Sequence, residues 1–363
     1  MGRLKYKVSI GQESRRPVIV LIHGLGMTEG VWTEPYKGRL LGGLLSFRYV
    51  LTDLHNKPLP ISLGFHDSEP KRKVKGITLS KPLEDLPDPP EPLWRYLQNQ
   101  GYDLITWTQR RPSGPIEEAV NELDYILRIV KKRLPRRNFV LIGHSRGGLI
   151  ARRYLDRFYR FKGEVVGLIT LSTPHHGSSF ALFGKVLSPI IKTLAILLPD
   201  NIGMVKRESL SKAESLIKRI KEVSRGEAIS ELSPNSEFLR KLNGERINGI
   251  YYATFGGTNP TFTRLYLLEY DKTSYMKKEG GFEWKAISRE VFSIPDILSS
   301  ITPASFIPEE LRPGKGDGLV SIKSAHLEWS DEKYNLPLNH ASILVDPGVK
   351  KRVLQILRRF NDN

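Results

Sequence analysis

The sequence predicts an α/β fold, a mostly parallel central sheet flanked by helices and carrying a helical insertion. Three observations lead there: continuous apolar runs of strand length, amphipathic helical segments between them, and a Gly-x-Ser-x-Gly turn at the end of one run. With 363 residues, 39% of them hydrophobic, the chain can bury a large core as one domain with insertions, and a single domain over 1–363 is expected.

The strand-length runs fall at 17–23 (PVIVLIH), 102–107 (YDLITW), 138–143 (NFVLIG), 164–171 (EVVGLITL) and 246–255 (RINGIYYATF). Uninterrupted hydrophobicity of this kind suits strands covered on both faces, whereas a half-exposed strand alternates. Between 102–107 and 138–143 the segment PIEEAVNELDYILRIVKKRLP places Val120, Leu123, Leu127, Val130 and Leu134 at helical steps on one face. Glu117 and Glu118 open it, Lys131 to Arg133 close it in the sense of the helix dipole, and Pro115 and Pro135 bracket it. A last helix is expected over 347–361. Two stretches break the alternation: 31–90, rich in Pro and charge, reads as a surface insertion, and 178–240 as a helical cap or lid. Inside the latter, 180–198 is strongly apolar, but Lys185, Pro189 and Lys192 interrupt any run long enough to span a bilayer.

Composition removes several classes of chemistry. There is no cysteine, hence no disulfide, thiolate metal site or thiol nucleophile. Lys and Arg number 56 against 39 Asp and Glu, a net +17 that suggests attraction to anionic surfaces, peripheral contact with lipid among them, with a solvated basic face as the plainer reading. The basic residues form short clusters without interleaved aromatics, and no nucleic-acid motif is present, so nucleic acid is not an expected partner. The start of the chain shows no signal-peptide pattern, making the cytoplasm the expected location, although a trimmed secretory precursor would look the same. The Lys, Arg and Glu content with few Met leans toward a thermophilic source.

The chemistry centres on GHSRG, 143–147. A strand that runs into Gly-x-Ser-x-Gly and then a helix pushes the serine above the sheet edge, and the glycines leave room for the turn. A serine hydroxyl needs an imidazole to take its proton and a carboxylate to hold that imidazole. Of eight histidines, His326 and His340 follow the helical insertion. His340 lies in a loop ahead of the last helix and is the expected base; His326, in a strand-like alternation, reads as structural. For the acid, Asp271, Asp296, Asp317 and Asp331 all have the right chain order. Asp317 is chosen because the glycines beside it would leave its carboxylate unobstructed, before the strand-like Leu319-Val320 pair. Ser145, Asp317 and His340 are therefore the expected catalytic residues. The oxyanion donors are expected to be the backbone N–H groups of Arg146, next after the serine, and Leu25, in the turn after the first long strand.

With LIHGLG, GHSRGG, STPHHGS (172–178), DGLV and a late NH, the chain resembles the α/β-hydrolase superfamily, and within it the triacylglycerol lipases and GPI inositol-deacylase-like esterases. The resemblance covers about 17–30, 90–178 and 231–361. It implies an ester hydrolase acting on a small-molecule or lipid ester through an acyl-enzyme. Thioesterase, amidase or lipid-anchor deacylase activity on the same triad is the alternative, and a non-catalytic lipid-surface binder the more distant one. Met or Gln is commoner in these relatives at the position of Arg146. Some carry calcium near the catalytic His, but no Asp stands two residues after His340. Others hold zinc in an insertion; Asp53, His55, His66 and Asp67 could supply such a site but read as surface polar residues, so no cofactor is expected.

Overall fold

A computed structural model describes residues 4–11, 16–35, 39–40, 45–46, 90–134, 138–159, 164–179, 227–242, 244, 246–261, 264–278, 281–293, 303 and 307–361. The apolar 180–198 run, the four residues weighed as a zinc site and Asp296 lie outside the described residues, as does most of the 31–90 insertion.

Seven strands form the central sheet in the order β1-β5-β2-β6-β7-β8-β11. They are β1 (Tyr6–Ser9), β2 (Val18–Ile22), β5 (Leu104–Trp107), β6 (Phe139–His144), β7 (Val165–Leu171), β8 (Tyr251–Gly257) and β11 (Glu332–Leu336). Only β1 runs antiparallel to its neighbour; every other pair is parallel. Burial follows position. Every residue of β2, β5 and β6 is buried, while the edge strands β1 and β11 mix intermediate and exposed residues. Two short strands, β3 (Arg39–Leu40) and β4 (Leu45–Ser46), pair separately.

The helices are α1 (Gly30–Thr33), α2 (Leu93–Asn99), α3 (Ile116–Arg133), α4 (Arg146–Tyr154), α5 (Glu227–Leu232), α6 (Glu237–Leu242), α7 (Ile322–Ala325) and α8 (Pro347–Arg358). α3 packs on α4, and α2 on α1 and α8, giving two groups that flank the sheet. In α3 the buried face carries Val120, Leu123, Leu127 and Val130, as the sequence spacing predicts, while Leu134 falls just past the last turn. Pro115 offers that helix no side-chain cap; Glu231 of α5 accepts the Ile116 N–H instead, at 3.0 Å. α8 has a local cap, the Asp346 carboxylate accepting from Val349 N at 2.9 Å ahead of Pro347.

Between β8 and the segment bearing Asp317, the backbone forms a long antiparallel hairpin, β9 (Arg264–Lys278) with β10 (Gly281–Ser293). These two strands are not among those expected from the sequence, and Asp271 lies in the first of them. A second difference concerns His326. Its stretch is not a strand: α7 ends at Ala325, and His326 is the residue that caps it.

The strand order positions the site. From β2 the chain moves to β5 on one side, then crosses to β6 on the other, so the connections diverge at the C-terminal ends of β2 and β6. Open parallel sheets form a crevice at such a point. The turns after β2, β6, β7 and β11 all leave from that same sheet edge.

Candidate active site

Ser145 follows the last residue of β6 and precedes α4, with φ 54° and ψ −130°. A non-glycine residue in this region is strained, and the neighbouring glycines show how tightly it is held. A Cβ on Gly147 would lie 2.2 Å from the Ile22 carbonyl oxygen, and one on Gly143 2.4 Å from Gly148 N. The first turn of α4 thus sits directly on the ends of β2 and β6. The strained serine is anchored by its own N–H, which donates to Leu171 O at 2.9 Å.

Asp317 and His340 are in contact. Oδ2 of Asp317 accepts from His340 Nδ1 at 2.8 Å, with both side chains buried. The other carboxylate oxygen, Oδ1, accepts from the backbone N–H groups of Leu319 (3.0 Å) and Val320 (2.8 Å). His340 N in turn donates to Asp317 O at 3.0 Å. The expectation of an unobstructed carboxylate is therefore corrected. Asp317 is fully buried, Gly318 takes φ +96° to turn the chain around it, and Gly257 at the end of β8 has no side chain because a Cβ there would meet Asp317 Cβ at 2.7 Å. Residues 317–320 form bends rather than a strand.

With Nδ1 committed to Asp317, the remaining ring nitrogen of His340, Nε2, is buried and has no partner among the described residues. The His340 ring lies 4.7 Å, centroid to centroid, from that of His144, the residue immediately before Ser145. His144 Nε2–H donates to the His340 carbonyl at 2.8 Å, tying the end of β6 to the loop after β11. Sequence reasoning gave His144 no role; its place beside the serine was the only available signal. Burial holds its pKa well below the usual imidazole range, so it stays neutral and leaves no second cation beside His340.

A model of the PGAP1-like alpha/beta domain matches residues 116–195, a stretch that contains α3, Ser145 and β7. Triacylglycerol lipase 2 of Saccharomyces cerevisiae is 35% identical over 91 residues, which cover 24% of this chain and 28% of the yeast protein. The match thus spans little more than a quarter of that relative's length. Among solved structures, the mature form of the Bacillus licheniformis lipase BlEst2 matches 98% of this chain and 99% of its own with a TM-score of 0.53, at 14% identity. Its propeptide form matches 98% of this chain and 54% of its own, with a TM-score of 0.51 at 14% identity. The chain has an α/β-hydrolase fold.

In this fold the turn after β2 reaches the serine: a Cβ on Gly24 would lie 2.8 Å from Ser145 Cβ. The backbone N–H of Leu25 has no acceptor among the described residues, and neither does that of Arg146 at the first position of α4. The flanking amides are occupied, Gly26 N donating to Pro112 O at 3.0 Å and Met27 N to Gly24 O at 3.4 Å. His23 is buried within the turn. Gln109 N donates to its Nε2 at 3.1 Å, which leaves Nδ1–H to donate to Gly24 O at 3.0 Å. Burial is the main cause that lowers its pKa to about 4, and the nearby Arg146 charge adds to the effect.

The other sequence candidates are not brought to this place. Asp331 holds Arg246 through both carboxylate oxygens (2.8 and 2.9 Å) and accepts Tyr252 N at 2.8 Å, at the opposite end of β8. His326 accepts from Thr254 Oγ1 at Nδ1 and donates from Nε2 to Asn335 Oδ1, both at 2.7 Å, which occupies both ring nitrogens. Its structural reading agrees with these bonds. His175, in the STPHHGS motif, accepts from Arg152 and donates to Thr170 Oγ1 at 3.0 Å; burial keeps it neutral too. No group of three or more His, Asp or Glu suited to a metal occurs among the described residues.

Proposed function

We propose that the chain is a serine carboxylic ester hydrolase, a lipase or long-chain esterase that works through an acyl-enzyme. The observation that carries this reading is the buried Asp317–His340 pair, whose unpartnered Nε2 belongs to a ring packed on His144, the residue immediately before the strained Ser145. Ser145 Oγ attacks the ester carbonyl while His340 Nε2 takes its proton. Asp317 fixes the tautomer with Nδ1–H and balances the imidazolium. The oxyanion receives the N–H groups of Leu25 and Arg146. Collapse of the tetrahedral species breaks the ester C–O bond, and His340 returns the proton to the leaving alkoxide. A water, deprotonated by the same nitrogen, then releases the acid and restores Ser145.

The apolar 180–198 run is the reason to assign an acyl chain to the substrate, and the net +17 charge favours adsorption to anionic interfaces. Hydrolysis of p-nitrophenyl esters with acyl chains of increasing length, beside the Ser145→Ala protein, tests the reading. Turnover rising toward long chains and absent from the variant is expected; a variant as active as the parent would refute it. Matched ester, thioester and amide donors separate the esterase from other acyl hydrolases sharing this machinery.

A further inference from the structure

Arg146 departs from the residues expected after a serine of this type, and the proposed mechanism uses only its backbone. Its side chain nevertheless is fully buried. An isolated guanidinium in that position would be costly, so its bonds carry information about why it is there. Nη1 donates to Gln109 Oε1 at 2.8 Å and to Pro112 O at 3.2 Å, and Nη2 donates to Gly114 O.

Two of these partners lead directly to the turn after β2. Gln109 donates from Nε2 to His23 O at 3.0 Å and from its backbone N to His23 Nε2 at 3.1 Å. Pro112 O accepts Gly26 N at 3.0 Å. One guanidinium therefore reaches both His23 and Gly26, the residues on either side of the Gly24-Leu25 pair. The planar fork is what makes this possible: its donors diverge toward separate acceptors, whereas an ammonium concentrates its donors at one atom.

We infer that the Arg146 side chain is a positioning residue, holding the Leu25 N–H in register with the N–H of Arg146 itself, so that both oxyanion donors are set by one residue. The inference rests on the hydrolase reading. Burial lowers the pKa of this group to about 10, so it remains a cation at neutral pH and keeps the bonds it makes there.

The test compares Arg146→Met, Arg146→Lys, Gln109→Met and the Arg146→Met/Gln109→Met double variant, with active sites counted by a serine-directed phosphonate. Each is assayed for kcat and KM on an ester and for affinity toward an alkylboronic acid, which forms a tetrahedral adduct on the serine. Arg146→Met is expected to lower kcat about 10- to 100-fold per active site, less than the 10²–10³ seen when an oxyanion donor is removed outright. KM should stay within about 3-fold, boronate affinity should fall by the same factor as kcat, and Arg146→Lys should fail to rescue. The double variant should be no more than about 3-fold worse than Arg146→Met, because both lie on one path.

A melting temperature that drops while kcat per active site and boronate affinity hold would overturn the inference and leave Arg146 a packing residue. Should Arg146→Met not fold, Arg146→Lys and Gln109→Met decide by the same two readouts. A parent protein that neither hydrolyses esters nor binds the boronate defeats the hydrolase reading itself, which is a different result from an active parent with indifferent variants.

Discussion

Replacing Asp317 by Asn separates the orienting role of the carboxylate from its packing, because the surroundings dictate how the amide must sit. Oδ1 receives two backbone N–H groups, from Leu319 and Val320, at 3.0 and 2.8 Å. An amide NH₂ placed there would oppose two donors and leave them unsatisfied, at about 1–3 kcal/mol for each buried group. The amide oxygen therefore takes the Oδ1 position, and its NH₂ faces His340 Nδ1. That nitrogen must then become the acceptor, so the proton moves to Nε2, the atom that has to accept the proton of Ser145. The wrong tautomer costs catalysis on the order of 10⁴-fold, or about 5 kcal/mol of barrier. Because every bond in the cluster still has a donor and an acceptor, stability should change by no more than about 1–2 kcal/mol. The assay is kcat on a p-nitrophenyl ester near pH 8, with thermal melting followed by circular dichroism. A folded Asp317→Asn protein whose kcat lies within tenfold of the parent would show that Asp317 does not set the His340 tautomer.

Further outcomes follow from the same geometry. Asp331→Ala, which removes the Arg246 ion pair and an acceptor for Tyr252 N at the far end of β8, should cost about 1 kcal/mol in urea unfolding and leave kcat unchanged; a large fall in kcat per folded molecule would return Asp331 to the list of acids. Gly147→Ala drives a methyl against the Ile22 carbonyl and should cost about 1–3 kcal/mol together with a tenfold or greater loss of kcat, since the displaced strand end carries the Leu25 turn; unchanged kinetics and melting would contradict that packing. Acid should weaken the fold through its buried neutral histidines. His23 is lowered to about 4, and His144 and His175 are well below 6.5, so the unfolded chain binds more protons once pH falls below about 6.5. Their stabilisation is present above that value and is lost as pH falls toward the folded pKa values, at roughly 4 kcal/mol per pH unit when all three contribute. Urea midpoints that are equal at pH 7 and pH 5 would rule this out.

Much of the fold was legible because buried parallel strands and a long amphipathic helix leave local marks. The runs at 17–23, 138–143 and 164–171 lie within one or two residues of β2, β6 and β7, and the charge-bracketed helix is α3 nearly end to end. By contrast, 246–255 contains β8 only from Tyr251, since the preceding residues form a turn tied to Asp331 through Arg246. The β9–β10 hairpin leaves no such mark, because its strands mix charged and apolar residues instead of forming an apolar run.

At the site, chain order and loop glycines were enough to single out Asp317 and His340, which the structure places 2.8 Å apart. The glycines around Asp317 serve close packing about a buried carboxylate, which local sequence does not distinguish from an open one. Nothing local in the sequence pointed to the Arg146 fork. Its acceptors lie 32 to 37 positions away, on the loop after β5, and only the folded chain brings that loop beneath the turn. His144 was invisible for the same reason, its partner being 196 positions distant.

Activation of Ser145 as a nucleophile by His340 is open to a direct chemical test. Intact-mass analysis after treatment with an alkyl fluorophosphonate, followed by peptide mapping, tests it without knowledge of the natural substrate. One adduct per chain is expected, located on Ser145, formed with loss of esterase activity and absent from both Ser145→Ala and, over the same minutes, His340→Ala. An unmodified parent protein, or an adduct on a different residue that abolishes activity, would contradict it.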